Sequence, residues 1–186
     1  TDVYGENAIS EHFDFDGIEN QMEGKFRTGH FDGVGTVLKR FFEIVKPTNA
    51  YFGEKDFQQL AIVKKLVTKY HIPVTIIGCP IHREQNGLAM SSRNERLTQQ
   101  NREEATLISR TLFKVKKDFG KKSIQEIVAE VTQIFDNHPS FTLEYFEIAN
   151  AETLITSTEI VEGNKYQAFI AVFINNIRLI DTISLN

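Results

Sequence analysis

The chain has 186 residues, of which 41% are hydrophobic and 25% charged, a composition that supports a packed core and excludes general disorder. Its formal net charge of −4 gives no general attraction to nucleic acid or to an anionic membrane, so neither is predicted as a partner. The single cysteine, Cys79, excludes an internal disulfide and is typical of a reducing compartment. No apolar run is long enough to span a bilayer.

The first part of the chain predicts helices that alternate with short strands. A short strand is predicted at residues 12–15 and a helical turn at 18–22. A helix follows, and Lys46-Pro47 ends it, because the residue before proline avoids the helical region. The predicted apolar face of this helix consists of Val34, Val37, Leu38, Phe41, Phe42 and Val45. Residues 49–52 and 74–79 have the composition of buried parallel strands, with a helix between them. This order is typical of a doubly wound α/β sheet.

The composition changes near Pro80, where we place a domain boundary. Residues 1–80 are predicted to belong to the parallel-sheet domain, and residues 81–186 to a smaller α+β domain. The segment 81–98 is polar, has no clear period and predicts a long loop.

Two helices and three strands are predicted in the second part. One helix has its apolar residues between Ala105 and Phe119. The next opens with a capping box formed by Ser123 and Glu126, has its apolar residues between Ile124 and Phe135, and is ended by His138-Pro139. Antiparallel strands are predicted at 142–148, 166–174 and 177–185. Asn175-Asn176 predicts a tight turn between the last two, because asparagine tolerates positive φ.

The first candidate site is the stretch "AYFGEKDFQQL", residues 50–60. A predicted strand stops at Gly53, and Lys55 stands between two acidic residues before a helix begins. In open α/β sheets, ligands bind at the carboxyl ends of strands, where the next helix offers free N–H groups. The pattern therefore favours an anion site, with Gln58 or Gln59 one turn further along. The alternative is an ordinary solvated loop.

The second candidate site is "GLAMSSRN", residues 87–94. Two adjacent hydroxyl groups and an arginine can donate several hydrogen bonds to a phosphate. The alternative is a surface turn. Both stretches together would suit a polyphosphate ligand.

Histidine and glycine patterns add little. Gly29, Gly33 and Gly35 surround His30 but do not form a standard phosphate loop, and we interpret His30 as a capping or packing histidine in preference to a catalytic base. The other histidines lack metal-ligand spacing, so no metal site is predicted.

Taken together, these stretches resemble the pantoate-beta-alanine ligase family. The resemblance rests on "FGEKDFQQL", "GCPI" and "GLAMSSRN" in this order, with the earlier "EGKFRTGHFDGV" and the late "IRLID", and it covers nearly the whole chain. It implies the remaining half of a Rossmann-like nucleotidyltransferase domain, followed by an α+β C-terminal lid domain with an antiparallel sheet.

The family resemblance also implies a reaction. ATP and pantoate would form a pantoyl adenylate and pyrophosphate, and the amine of beta-alanine would then attack the acyl group to give pantothenate and AMP. It further implies Mg²⁺, a cytoplasmic location and a homodimer.

The resemblance assigns roles to particular residues. ATP binding is implied for Gly53, Glu54, Lys55, Asp56, His82, Met90, Ser91, Ser92 and Arg93. The catalytic residues among them would be Lys55, Ser91, Ser92 and Arg93. Gln59 matches the glutamine that holds pantoate, and His82 matches a position that contacts adenine through its main chain.

The sequence departs from the family in two ways. Asp32 stands where the family commonly has arginine. The H-x-G-H signature, which precedes these motifs in the family, does not occur in this sequence. We therefore expect a C-terminal fragment that is inactive or nearly so alone, with the Mg²⁺ ligands mainly in the absent part. Two alternatives stay open: another nucleotidyltransferase-like enzyme, and a non-catalytic dimerisation or ligand-binding module.

Overall fold

A computed structural model describes residues 10–186 of the chain. Residues 1–9, which the predicted first domain includes, lie outside the described residues. The chain divides into two units, Thr1–Cys79 and Pro80–Asn186. No helix of the described part has the length and apolar character needed to cross a membrane.

The first unit alternates helices with two parallel strands. Its regular elements are a 3₁₀ helix at Ile18–Asn20, α1 at Met22–Phe26, α2 at His30–Val45, β1 at Asn49–Gly53, a 3₁₀ helix at Glu54–Asp56, α3 at Phe57–Lys69 and β2 at Thr75–Cys79. The two strands pair in parallel, from Asn49 opposite Thr75 to Gly53 opposite Cys79. This pairing confirms the predicted α/β class and brings the carboxyl ends of both strands to one edge.

The predicted strand at residues 12–15 is wrong. Phe13 donates its N–H to Asp32 Oδ1 at 2.9 Å, so a side chain occupies the place of a strand partner. Phe13 and Phe15 are both buried, and their rings stack 5.6 Å apart. The alternation of apolar residues that predicted a strand therefore reflects two buried aromatic rings.

Helix α2 is confirmed, but most of its predicted apolar face is not buried. Val37, Phe41 and Val45 are 49%, 53% and 52% exposed. The buried residues of α2 are Phe31, Gly35 and Phe42. Gly35 lies against Phe13, and a Cβ there would come within 2.8 Å of that ring. The absence of a side chain at Gly35 is therefore what allows the helix to pack closely on this side.

The second unit places helices on a three-stranded antiparallel sheet. Its regular elements are a 3₁₀ helix at Ser92–Arg96, α4 at Gln99–Glu104, α5 at Thr106–Asp118, α6 at Ile124–Asp136, β3 at Phe141–Asn150, β4 at Tyr166–Ile174 and β5 at Ile177–Ser184. The strand order is β3-β4-β5. The core contains buried side chains of α5, α6 and the sheet, including Leu112, Ile127, Phe135 and Ile170.

Local signals in the second unit are confirmed. The capping box at the start of α6 has both of its hydrogen bonds, and Asn175 adopts a φ of 51° in the turn between β4 and β5. The predicted long loop at 81–98 is wrong in part, because it contains a β-bridge between Arg83 and Ala89 and the 3₁₀ helix. Helix α4 was not predicted.

Candidate functional site

The candidate site of the first unit begins where β1 ends at Gly53. The backbone there is extended, and a Cβ built on Gly53 would meet nothing within 4 Å. The space beside this strand end is therefore open to a ligand. A 3₁₀ turn carries Glu54, Lys55 and Asp56 from Gly53 into helix α3.

The three charged side chains of this turn, Glu54, Lys55 and Asp56, have different surroundings. The Glu54 carboxylate lies close to Gly78 of β2, because a Cβ on Gly78 would come within 3.2 Å of Glu54 Oε1. Asp56 is the N-cap residue of α3, but its side chain makes no capping hydrogen bond. Lys55 is half-buried and forms no ion pair with any of residues 10–186. Its ammonium group is thus available to a phosphate beside the uncapped helix start.

The two adjacent glutamines of α3 do different jobs. Gln58 is 3% exposed, accepts a hydrogen bond from the N–H of Glu23 at 2.9 Å, and donates to the carbonyls of Ile18 and Gln21, each at 2.8 Å. It therefore fixes the start of α1. Gln59 instead lines a pocket.

This pocket lies between α2 and the beginning of α3 and has a volume of about 490 Å³. Besides Gln59, it is lined by Gly29, His30, Gly33, Val34, Val37 and Leu38. The lining combines one amide and one imidazole with aliphatic side chains, which suits a small molecule that has an apolar body and a polar group.

His30 stands at the first position of α2 and lines the pocket. Its Nε2 lies 2.9 Å from Arg27 Nη1, and its ring centroid lies 4.9 Å from that of Phe31. Sequence reasoning did not identify Arg27. The available signal was the spacing of Arg27 and His30, three residues apart with a glycine between them. Gly29 has a φ of 74°, and the turn there lets the two side chains meet.

Asp32 stands where the family that the sequence resembles commonly has arginine. Its carboxylate forms hydrogen bonds with two residues of the first unit. Besides the Phe13 N–H, it contacts His12 Nδ1 at 3.0 Å, and this hydrogen bond raises the pKa of His12 above its usual 6.5. Asp32 therefore has a structural role at the start of α2.

The carboxylates near the end of β1 bear on the Mg²⁺ that the family resemblance implies. Among residues 10–186, no three His, Cys, Asp or Glu side chains are grouped so that they could hold a metal ion. Glu54 and Asp56 supply two carboxylates in the turn that follows β1. Mg²⁺ is usually bound by one or two carboxylates together with phosphate oxygens, and not by protein groups alone.

The candidate site of the second unit is a hydrogen-bonded loop. The N–H of Met90 donates to the His82 carbonyl at 2.9 Å, and that of Glu84 donates to the Leu88 carbonyl at 2.8 Å. Gly87 turns the chain with a φ of 91°. The side chain of His82 is exposed and has no hydrogen bond to the described residues.

Residues 90–93, which we call the loop segment, follow this turn. Ser91 Oγ accepts the N–H of Arg93 at 3.3 Å and so caps the 3₁₀ helix. Met90 is 51% exposed. The side chains of Ser92 and Arg93 make no hydrogen bond or ion pair with residues 10–186, so both can reach a ligand. Residues 53–56 and Gln59 thus lie in the first unit, and the loop segment lies in the second.

Known proteins resemble the chain over its whole length. The family model described as pantoate-beta-alanine ligase matches residues 1–184. Pantothenate synthetase of Flavobacterium psychrophilum is 59% identical over 184 residues, covering 99% of this chain and 65% of that protein. The enzyme of the same name from Christiangramia forsetii is 51% identical and also covered to 65%. The chain thus spans about 65% of the length of these relatives.

Solved structures agree with this result. Pantothenate synthetase from Thermus thermophilus matches with a TM-score of 0.89 and 34% identity, over 98% of this chain and 66% of that one. Pantoate-beta-alanine ligase from Francisella tularensis, in a complex with "Beta-gamma ATP and Beta-alanine", matches with a TM-score of 0.73 and 30% identity, over 99% of this chain and 61% of that one.

Proposed function

The chain belongs to the pantoate-beta-alanine ligase family, and we propose that it forms part of an enzyme that joins pantoate to beta-alanine with ATP. In the first step, a pantoate carboxylate oxygen attacks the α-phosphorus of ATP, which gives pantoyl adenylate and releases pyrophosphate. In the second, the beta-alanine amine attacks the acyl carbon, AMP leaves, and pantothenate is formed. The Francisella tularensis relative, crystallised with an ATP species and beta-alanine, supports these substrates.

Lys55 is the residue on which the ATP assignment chiefly rests. It is half-buried at the carboxyl end of a parallel strand, beside the uncapped start of α3, and forms no ion pair with the described residues. We propose that its ammonium group binds the phosphates of ATP and offsets the charge that develops as pyrophosphate leaves. Gly53, Glu54 and Asp56 complete this ATP-binding turn.

Gln59 is proposed to bind pantoate. Its position in the wall of the 490 Å³ pocket supports this role, since pantoate has an aliphatic body with a carboxylate and hydroxyl groups. An amide can hydrogen-bond these polar groups while Val34, Val37 and Leu38 contact the methyl groups. This contact would hold the carboxylate for attack on ATP.

The loop segment is proposed to grip the triphosphate. Ser92 and Arg93 have side chains without partners among the described residues, and Arg93 can bind phosphate oxygens through two parallel hydrogen bonds. Ser91 and Met90 belong to the same ATP-binding group, with the main chain of His82 as the adenine contact.

We further propose that this chain alone is inactive or nearly so. Parallel sheets are normally buried on both faces, yet β1 alternates between exposed and half-buried residues, with Tyr51 66% exposed. The relatives named pantothenate synthetase are longer than this chain. A partly built nucleotide pocket would not be preorganised for the transition state. Pantothenate formation by the purified chain would contradict this proposal.

Calorimetric titration of MgATP into the purified chain tests the phosphate assignment. We expect weak binding that Lys55→Ala abolishes. Lys64→Ala is the matched control, because Lys64 is an exposed lysine of α3 without an ion pair among the described residues. Equal affinities for the wild type and Lys55→Ala would refute the role of Lys55.

A homodimer and a cytoplasmic location complete the proposal. The exposed apolar residues of α2 support self-association, because Phe41, Ile44 and Val45 are each more than half exposed. Sedimentation of the wild type and Phe41→Ser at several concentrations would test this; a monomer at every concentration would contradict it.

The cytoplasmic location rests on the single free cysteine, Cys79, and on the family.

A further inference from the structure

The loop segment is closed at its base by a buried asparagine. Asn94, which directly follows the segment, is 2% exposed although it lies in a polar stretch. Its Nδ2 donates to the carbonyl of Ala89 at 3.0 Å and to Glu84 Oε1 at 2.9 Å. The residue after the segment is thereby tied to the residue before it. The backbone that presents Ser91, Ser92 and Arg93 is consequently held at both ends.

The Glu84 carboxylate is itself held by an arginine outside the loop. Arg102 of α4 donates from Nε to Glu84 Oε2 at 3.0 Å and from Nη2 to Oε1 at 2.8 Å. This two-point contact fixes the plane of the carboxylate. The hydrogen bond from Arg102 also lowers the pKa of Glu84, so the carboxylate stays ionised and remains a strong acceptor for Asn94.

We propose that Arg102 is a positioning residue for the loop segment, acting through Glu84 and Asn94. The inference deepens the proposed function, on which it rests for its ligand, the triphosphate of ATP. Without the two hydrogen bonds from Arg102, the Glu84 carboxylate can rotate, and water can replace its hydrogen bond with Asn94. The segment then opens, and part of the binding free energy of ATP is spent on closing it again.

Arg102→Gln is a suitable variant, because the Arg102 side chain is 44% exposed and its loss leaves no cavity. The matched control is Arg110→Gln, which removes the same charge from an exposed arginine of α5 whose side chain has no hydrogen bond or ion pair within residues 10–186. Arg102→Lys keeps the positive charge but loses the two-point contact that the guanidinium makes with Glu84.

The experiment combines hydrogen–deuterium exchange of peptides covering residues 89–97 with calorimetric titration of MgATP, both on the purified chain. For Arg102→Gln we expect exchange about 3- to 10-fold faster in these peptides and a similar loss of ATP affinity, which correspond to a roughly 0.7–1.4 kcal/mol change. Arg110→Gln should match the wild type, and Arg102→Lys should recover part of both effects.

Several results would overturn the inference. Unchanged exchange in Arg102→Gln would show that Arg102 does not hold the segment. Faster exchange throughout residues 80–186 would show a general structural role, and faster local exchange with unchanged ATP affinity would show that the segment's order does not serve the ligand. If the wild type binds no ATP, the ATP assignment fails for this chain, and the exchange comparison alone decides whether Arg102 positions the segment.

Discussion

Gln58 and Gln59 offer a sharp test, because the same substitution at these identical neighbouring residues is expected to change stability by very different amounts. Gln58→Ala removes three hydrogen bonds to the segment that contains Ile18, Gln21 and Glu23. One of them satisfies an N–H in the first turn of α1, which has no side-chain cap of its own. At about 1 kcal/mol for each bond, we expect a loss of roughly 3 kcal/mol from the first unit.

Urea denaturation followed by far-UV circular dichroism measures this loss. With a slope of about 1.5 kcal/mol/M, a 3 kcal/mol change lowers the midpoint by about 2 M. Because the two units can unfold separately, exchange of a peptide spanning residues 18–27 assigns the change to the first unit.

Two further variants sharpen the comparison. Gln59→Ala truncates a half-buried, pocket-lining residue and should change stability by less than about 0.5 kcal/mol. Gln58→Glu keeps an oxygen for the N–H of Glu23 but places a carboxylate against the carbonyls of Ile18 and Gln21, so it should destabilise at least as much as Gln58→Ala. Equal midpoint shifts for Gln58→Ala and Gln59→Ala would refute the division of roles.

Three other predictions concern stability and titration. Asp181→Ala should cost about 3 kcal/mol in urea denaturation, because it leaves the Arg83 guanidinium, only 17% exposed, without its carboxylate; a loss below about 1 kcal/mol would contradict this. In an NMR titration, His12 should have a pKa above 6.5, owing to its hydrogen bond with Asp32, and Asp32→Asn should return it to that value. The stability from this pair is fully present below about pH 6.5 and is lost as the pH rises through the raised pKa; stability rising with pH there would be the wrong sign. Ser123→Ala should cost about 1 kcal/mol through loss of the α6 cap, measured in the same urea assay, whereas Ser123→Gly should cost only a few tenths.

The elements that could be predicted from the sequence have local causes. The start of α6 depends on Ser123 and Glu126, three residues apart, and the turn between β4 and β5 depends on the tolerance of Asn175 for positive φ. Both are properties of a few consecutive residues. The alternation of helices and strands around β1 and β2 likewise follows from local composition and proline positions.

The errors have distant causes. The extended stretch around Phe13 has no strand partner because Asp32, nineteen residues away, receives its N–H. The buried side of α2 was misjudged because it is centred on Phe31, Gly35 and Phe42, with Gly35 against the Phe13 ring. A hydrophobic period predicts that a helix forms, but it does not show which neighbour covers each side.

The candidate sites follow the same division. The stretches at 53–56 and 90–93 became candidates from residue types alone, because ammonium, guanidinium and hydroxyl groups can donate hydrogen bonds to a phosphate. The distinction between Gln58 and Gln59 could not, since both lie in the first turn of α3. Only the folded structure shows that Gln58 binds the N–H of Glu23 and the carbonyls just before α1, while Gln59 lines the pocket.

The fixed conformation of the second candidate site could not be predicted from the sequence, but it matters for phosphate binding. A polar stretch with one glycine reads as a flexible loop, yet its contacts come from Arg102 in a later helix and from Asp181, which binds Arg83 at 2.7 Å across a separation of 98 residues. Phosphate recognition gains from such fixed donors, because groups already in place need no reorganisation when negative charge arrives. In a flexible segment, the conformational entropy lost on ordering would offset part of the binding free energy of the ligand. The contacts of Glu84 and Asn94 are therefore as relevant to the proposed chemistry as the hydroxyl groups and the arginine that they hold in place.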